Sequence, residues 1–253
     1  MAKVFLVGAG PGAADLVTLR AMRVLQAADV VLYDALVSAE VLHLAKPTAR
    51  LIDVGKRCGR KRFTQEEINA LLIQVAREAE IVVRLKGGDP MIFGRAAEEM
   101  DALRSSGIEF EVIPGITAAC SAAAAAKISL TARGTASEVL LTTAHHCTGW
   151  KQDEPPTDGK HRERTVVIYM PGRDNARVYS QLRAASITDD VPCTIVSGIS
   201  SEHQQVISTV VGSLRASPGY PAPSILIIGE VGRDQSNEIV FRNLRGGSST
   251  SLN

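Results

Sequence analysis

The stretch Val4-Phe5-Leu6-Val7-Gly8-Ala9-Gly10-Pro11-Gly12-Ala13 decides the fold. Four apolar residues run straight into a glycine-rich turn. Leu16, Leu19, Arg20, Arg23, Val24 and Ala27 then recur at helical spacing, with Leu16, Leu19, Val24 and Ala27 expected on the apolar side. A buried strand, a tight turn and an amphipathic helix form the first βα unit of a parallel sheet.

Outward from this unit the alternation continues. Val30–Tyr33 reads as a strand ending at Asp34, and Ile81–Leu85 as another. Thr64-x-x-Glu67 is a capping box ahead of an apolar stripe at Ile68, Leu71, Leu72 and Val75. Ala96–Ser106 reads as a helix closed by Gly107, and Phe110–Ile113 as a strand stopped by Pro114-Gly115. The pattern implies an α/β fold with a largely parallel sheet, whose ligands sit at the carboxyl ends of the strands. Beyond Pro114–Thr117 the order is less regular. Thr117–Ala126 reads as an Ala-rich, closely packed helix and Asn175–Ala185 as a second helix. Glu138–Thr142, Thr165–Met170, Cys193–Ser197, Val206–Val211 and Ser224–Ile228 read as strands. The expected organisation is an N-terminal α/β lobe over 1–115, a C-terminal α/β lobe over 116–242 and a disordered Gly/Ser-rich tail over 243–253. Residues 149–164 read as a polar, mobile surface loop.

Composition narrows the function classes. The 253 residues carry 28 Lys and Arg against 27 Asp and Glu, a balance that argues against a nucleic-acid or membrane-surface binder. Aromatics at 4% leave little for base stacking. Cys58, Cys120, Cys147 and Cys193 are far apart, as in a reduced cytoplasmic protein. The first apolar run is too short for a signal peptide, and the most apolar stretch, 116–126, falls short of the roughly 20 residues a membrane span needs. No metal site is expected: His145-His146-Cys147 lacks further ligands at suitable spacing and reads as a strand end. Trp150 reads as a loop anchor and Cys120 as a small buried hydrophobe.

Three turns are candidate ligand sites. Gly8, Gly10 and Ala13 satisfy G-x-G-x-x-A, and Asp34 lies 24 residues beyond Gly10, near the place of a ribose-binding acid. A tight βα turn without a ligand would look the same. Pro11 removes an amide where a phosphate would bind, which weakens a nicotinamide reading against S-adenosylmethionine. Arg84-Leu85-Lys86-Gly87-Gly88-Asp89-Pro90, at a strand end, could let a ligand approach the backbone at its paired glycines with Asp89 accepting from an amine or hydroxyl, or be a plain turn. Pro114-Gly115-Ile116-Thr117-Ala118-Ala119 leaves room for a ligand, or for close helix packing.

In this order and spacing the chain resembles the tetrapyrrole methylase family from about Lys3 to Val231. The resemblance is carried by Val7–Gly12, Val31–Val37, Val54–Arg57, Gln65–Asn69, Val83–Pro90, Phe93–Arg95 and Ile113–Ala118. It implies a two-lobed tetrapyrrole methylase fold, each lobe a mixed sheet flanked by helices, with an active-site cleft between the lobes. It further implies S-adenosylmethionine as methyl donor and a homodimer. The activity implied is methylation of two pyrrole carbons of uroporphyrinogen III to precorrin-2, for sirohaem or cobalamin synthesis. By the same match the cofactor contacts are Pro11, Gly87, Gly88, Asp89, Ile92, Thr117, Ala118, Met170 and Ile199, the last standing where a Gly is usual. Asp34 is the implied proton acceptor and Lys56 the proton donor. Arg95, Glu98 and Arg133 are the implied substrate contacts.

Charge supports the same reading. Lys56-Arg57-Cys58-Gly59-Arg60-Lys61-Arg62 places five cations in seven residues, which suits a polycarboxylate such as uroporphyrinogen or, equally, a solvated loop. Departures from the family pattern, at Ala96-Ala97, Thr131-Ala132-Arg133-Gly134, Thr143-Ala144-His145 and Ser197–Glu202, fall on the substrate side and in the second half. Another tetrapyrrole or precorrin as acceptor is therefore the first alternative. A nicotinamide-dependent oxidoreductase would leave Gly87–Asp89 and Thr117–Ala118 without a role. A non-catalytic binding protein is the third reading. A chain of this length is expected to hold no dehydrogenase or chelatase module.

Overall fold

A computed structural model describes residues 3–55, 63–144 and 163–235. Five strands form the first sheet: β1 (Lys3–Gly8), β2 (Val30–Tyr33), β3 (Arg50–Asp53), β4 (Ile81–Lys86) and β5 (Glu109–Ile113), in the order β3-β2-β4-β1-β5. All four pairings are parallel. Helices α1 (Leu19–Ala27), α2 (Ala39–Leu42), α3 (Gln65–Glu78) and α4 (Ala96–Ser105) make the crossovers. Both faces are covered, so the strands read as near-continuous apolar runs. Val4, Leu6, Val30, Leu32 and Val82 pack with Ile68, Leu72, Val75 and Leu103 on the α3/α4 side. Val7, Val31, Val83 and Leu85 pack with Ala21 and Leu25 on the other.

The second sheet contains β6 (Glu138–Thr143), β7 (Arg164–Tyr169), β8 (Pro192–Ser197), β9 (Gln205–Val210) and β10 (Ser224–Ile228), in the order β6-β7-β10-β8-β9. Only β6–β7 is parallel, and the other pairings are antiparallel. The mixed character expected of both sheets thus belongs to the second. In the first it is confined to one antiparallel bridge, Gly10–Gly88. Helix α5 (Ala118–Ala126) lays Ala119, Ala122, Ala123 and Ala126 on Val167, Val196, Ile225 and Ile227. Without longer side chains on that face, the helix backbone sits close to the sheet. Helix α6 (Asn175–Ala184) covers the opposite face with Val178 and Leu182.

Local sequence explains most element boundaries. The Thr64 hydroxyl accepts from the Glu67 amide and the Glu67 carboxylate accepts from the Thr64 amide, a complete capping box. Gly107 leaves α4 at φ +67. Helix α1 departs from expectation. Thr18 caps it, so it starts at Leu19 and its buried face is Ala21, Leu25 and the following Ala28. Leu16 and Leu19 are exposed instead, at 36% and 68%. Strand β3 lacks an apolar signature because it is the sheet edge, with only Leu51 and Ile52 between Arg50 and Asp53. Cys120 is exposed rather than buried. The buried cysteine is Cys193, whose thiol burial pushes up to about 12. His145, His146, Cys147 and Trp150, the cationic run 56–62, most of the loop 149–164 and the tail 243–253 lie outside the described residues.

Candidate active site

The carboxyl ends of β1, β4 and β5 converge on three glycines. A Cβ on Gly115 would lie 2.3 Å from the Gly88 carbonyl oxygen and 2.8 Å from Gly8 Cα. A Cβ on Gly8 would lie 2.5 Å from the Gly115 nitrogen. Gly10 and Gly88 exchange backbone hydrogen bonds of 3.2 and 2.8 Å, and both have positive φ, which glycine adopts at no steric cost. Asp89 locks the arrangement. Its Oδ1 accepts from the Met91 amide at 2.8 Å and its Oδ2 from the Gly115 amide at 3.0 Å. Three turns distant in sequence are therefore one rigid surface.

The second half of the chain meets this surface. Gly88 faces the Thr117–Ala118 turn at ordinary contact distance: a Cβ there would stand 3.8 Å from the Ala118 nitrogen and 3.9 Å from Thr117 Cα. A Cβ on Gly12 would stand 3.6 Å from Ser200 Cβ and 3.7 Å from the Ile199 carbonyl. Ile92, Ala118 and Ile199 pack against one cluster. The Tyr169 hydroxyl lies 2.6 Å from Thr117 Oγ1 and accepts from the Ala119 amide at 3.1 Å, while its ring meets Phe93 at 4.9 Å. Burial raises the Tyr169 pKa above the usual phenol value. Ser38 caps α2 and donates to the Gly12 carbonyl, pinning that loop from below. Of the expected cofactor contacts, Gly88, Asp89, Ile92, Thr117, Ala118 and Ile199 are thus gathered. Pro11 adjoins through Gly12. Gly87 abuts Leu36, and Met170 follows Tyr169 at φ +48.

Asp34, at the end of β2, stands at the front of a charged cluster. Arg84 donates to it through Nη2 at 2.5 Å and, through Nε, to Glu99 at 2.9 Å. Lys86 donates to both Glu99 oxygens at 3.0 Å and its Nζ lies 4.0 Å from Asp34. Arg84, Lys86 and Glu99 are buried, and Asp34 is partly exposed. Burial opposes the Arg84 charge, yet Asp34 and Glu99 hold its pKa above the usual arginine value. Burial, and then Arg84, pull Lys86 below the usual lysine value.

The expected substrate contacts are arranged differently. Arg95, at φ 55, makes a two-pronged ion pair of 2.7 Å with Glu98, so the two offer a joined, neutral pair. Arg133 is exposed in the turn spanned by the Ala132–Ala136 bridge. Lys56 lies outside the described residues. The apolar side chains of Leu36, Met91, Phe93 and Met170 are exposed near these turns. Sequence reasoning assigns no role to Tyr169, Ser38 or Glu99, and it names Arg84, Lys86 and Phe93 only within motifs, without the contacts they make. Only the charged alternation Arg84-x-Lys86 in an apolar strand signals any of them. Among the described residues no three His, Cys, Asp or Glu side chains come together as a metal site, and no helix is long and apolar enough to cross a membrane.

Comparison with known proteins agrees with the geometry. Residues 3–215 match the family model for tetrapyrrole (corrin/porphyrin) methylases. The chain belongs to the tetrapyrrole methylases. It is 42% identical to a uroporphyrinogen-III C-methyltransferase of Synechocystis, over 91% of this chain and 89% of that protein. It is 44% identical to siroheme synthase 1 of Cronobacter sakazakii, over 90% of this chain but 49% of that protein. The chain therefore spans about half the length of the siroheme synthases it matches. Among solved structures, the Thermus thermophilus uroporphyrin-III C-methyltransferase complexed with S-adenosylhomocysteine superposes with a TM-score of 0.77 at 36% identity. That match covers 92% of this methylase and 99% of the Thermus chain.

Proposed function

We propose that the protein transfers methyl groups from S-adenosylmethionine to two pyrrole carbons of uroporphyrinogen III, giving precorrin-2. The observation that carries this reading is the meeting of the three small-residue turns, Gly10–Gly88 and Gly115–Asp89 with Thr117–Ala118 beside them, on a chain 42% identical to a C-methyltransferase almost throughout. Glycine at these turns leaves backbone, not side chain, at the surface a ligand would approach. We assign the methyl donor to Pro11, Gly87, Gly88, Asp89, Ile92, Thr117, Ala118, Met170 and Ile199.

The donor supplies a sulfonium-activated methyl, so no covalent nucleophile is needed from the chain. What the chain must do is align acceptor carbon and methyl, exclude water and remove a proton from the methylated ring. Asp34, partly exposed beside Arg84, is our base, and Lys56 our proton donor. The exposed apolar side chains Leu36, Met91, Phe93 and Met170 suit the faces of a macrocycle. The Arg95–Glu98 pair, Arg133 and the cations of 56–62 suit its carboxylate rim. For an acceptor carboxylate, Arg95 must share its fork with Glu98 or leave it. We further propose lobes dividing near residue 115, a homodimer, and a cytoplasmic location in keeping with the widely spaced cysteines.

The test is anaerobic incubation with radiolabelled S-adenosylmethionine and uroporphyrinogen III. Two methyl groups per tetrapyrrole and the absorbance of a precorrin-2 product are expected. Donor binding without methylation would refute this acceptor and favour another precorrin. Binding of a nicotinamide nucleotide instead would favour an oxidoreductase.

A further inference from the structure

Strand β4 carries a costly feature. Its residues on the α3/α4 face are Val82, Arg84 and Lys86, in the middle of a sheet. Apolar residues at 84 and 86 would fill the same space without desolvating two cations, and such replacements are often neutral or stabilising. Stability alone does not account for the charges.

The bonding pattern has a direction. Glu99 is completely buried. Its Oε1 accepts from Arg84 Nε at 2.9 Å, from Lys86 at 3.0 Å and from Gln65 Nε2 at 3.3 Å, while Oε2 accepts from Lys86 at 3.0 Å. Gln65 is itself oriented by Asn69 at 3.0 Å. The three nitrogens of the Arg84 guanidinium are each occupied: Nε on Glu99, Nη1 on the Leu85 carbonyl at 3.2 Å, Nη2 on Asp34. The guanidinium cannot turn without breaking one of them. Asp34, its side chain 31% exposed, is the one of these four charged residues that reaches the surface. Its Oδ1 is held by Arg84, and its Oδ2 lies 4.0 Å from Lys86. Helix α4 achieves this by its entry. The left-handed turn at Arg95 starts the helix so that Glu98 faces out to Arg95 and Glu99, one residue on, faces in.

We propose that Glu99 is a positioning residue, which through Arg84 and Lys86 fixes the orientation in which Asp34 presents its carboxylate to the bound tetrapyrrole. This rests on the reading of Asp34 as the base. Glu99, completely buried, acts through these two cations. Without its charge, Arg84 loses the anchor behind it and Lys86 loses the carboxylate its Nζ donates to, so both cations are free to collapse onto Asp34.

The experiment compares Glu99→Gln, Asp34→Asn and the double variant, with Arg84→Lys as the second probe of the link. Arg84→Lys keeps the charge but cannot span both carboxylates. Single-turnover methyl transfer from radiolabelled S-adenosylmethionine to uroporphyrinogen III gives the rate. Calorimetric titration with S-adenosylhomocysteine gives cofactor affinity and reports folding. Glu99→Gln is expected to lower the rate at least about tenfold, with cofactor Kd and tetrapyrrole KM within about threefold of wild type. In the Asp34→Asn background it is expected to add less than about twofold, because its route runs through Asp34. If Glu99→Gln does not fold, Arg84→Lys is expected to show the same pattern. Wild-type rates in folded Glu99→Gln or Arg84→Lys would overturn the proposal, as would an equal loss in the Asp34→Asn background. Full activity in Asp34→Asn itself would instead overturn the base assignment and this proposal with it. An inactive Asp34→Asn beside a fully active Glu99→Gln sinks the positioning role alone.

Discussion

Replacing Gly115 by Ala tests the three-glycine contact directly. The new Cβ would lie 2.3 Å from the Gly88 carbonyl oxygen and under 3 Å from Gly8 Cα and C. Carbon atoms of this kind do not approach other atoms closer than 3.0 Å, so the Pro114–Thr117 turn must move by about 0.7 Å. All the colliding atoms are backbone, and they are fixed by pairing: Gly8 stands opposite Lys86, and Val7 opposite Ile113. The shift also strains the 3.0 Å bond from the Gly115 amide to Asp89. Overpacking costs about 1–3 kcal/mol. A lost bond to a charged acceptor costs about 1.5–3 kcal/mol. Together they give roughly 4 kcal/mol, which at about 2–4 °C per kcal/mol lowers Tm by roughly 8–16 °C. Gly107→Ala is the control. A Cβ there meets nothing within 4 Å, and only the φ of +67 opposes it. That costs about 1–2 kcal/mol, far from the site. Scanning calorimetry should rank Gly115→Ala well below Gly107→Ala, and titration should show at least a tenfold loss of S-adenosylhomocysteine affinity in the first only. A Tm loss for Gly115→Ala no larger than for Gly107→Ala would refute the packing argument. Unchanged affinity would separate the glycine contact from the cofactor site.

Two further outcomes follow from single contacts. Tyr169→Phe keeps the ring against Phe93 but removes the hydroxyl shared by Thr117 and the Ala119 amide, leaving a buried amide unpaired. A loss of about 1–3 kcal/mol is expected, and thermal unfolding at the wild-type midpoint would count against these bonds. Asp29 accepts from Lys46 at 2.7 Å and from the Ile81 amide at 3.0 Å, which hold its pKa below the ordinary 3.8. A depressed carboxylate stabilises the fold above its unfolded value and ceases to do so as pH falls through the folded one. Wild type should therefore unfold at higher temperature than Asp29→Asn at pH 7, with the gap closing in acid below 3.8. A gap that does not change with pH would refute the assignment.

What the sequence could show depended on how locally each feature is encoded. The capping box at Thr64–Glu67, the stop at Gly107 and the apolar run of β1 are short-range signals, and each appears in place. Helix α1 does not follow its apolar period: Leu16 and Leu19 fit a helical spacing, but the Thr18 cap, which sets the start, lies between them. The edge strand β3 has half its residues polar, and its partner β2 is about 20 residues away in sequence. The site divides in the same way. Glycine turns are visible because backbone approach leaves a residue-type mark, and their gathering follows from a parallel sheet whose strands all end on one side. Asp89 is visible too, but its partners are not. Nothing near it in sequence reveals that one oxygen is given to Gly115, 26 residues on. The charged cluster is the extreme case. Gln65, Arg84, Lys86 and Glu99 come from two helices and a strand, and only burial distinguishes Glu99 from the adjacent Glu98. Because helix residues point about 100° apart, two neighbouring glutamates take opposite tasks. Glu98 neutralises an exposed arginine, and Glu99 anchors a buried one whose other end holds Asp34. A charge-removing change at the exposed glutamate should thus leave the orientation of Asp34 intact, whereas the same change one residue later should not.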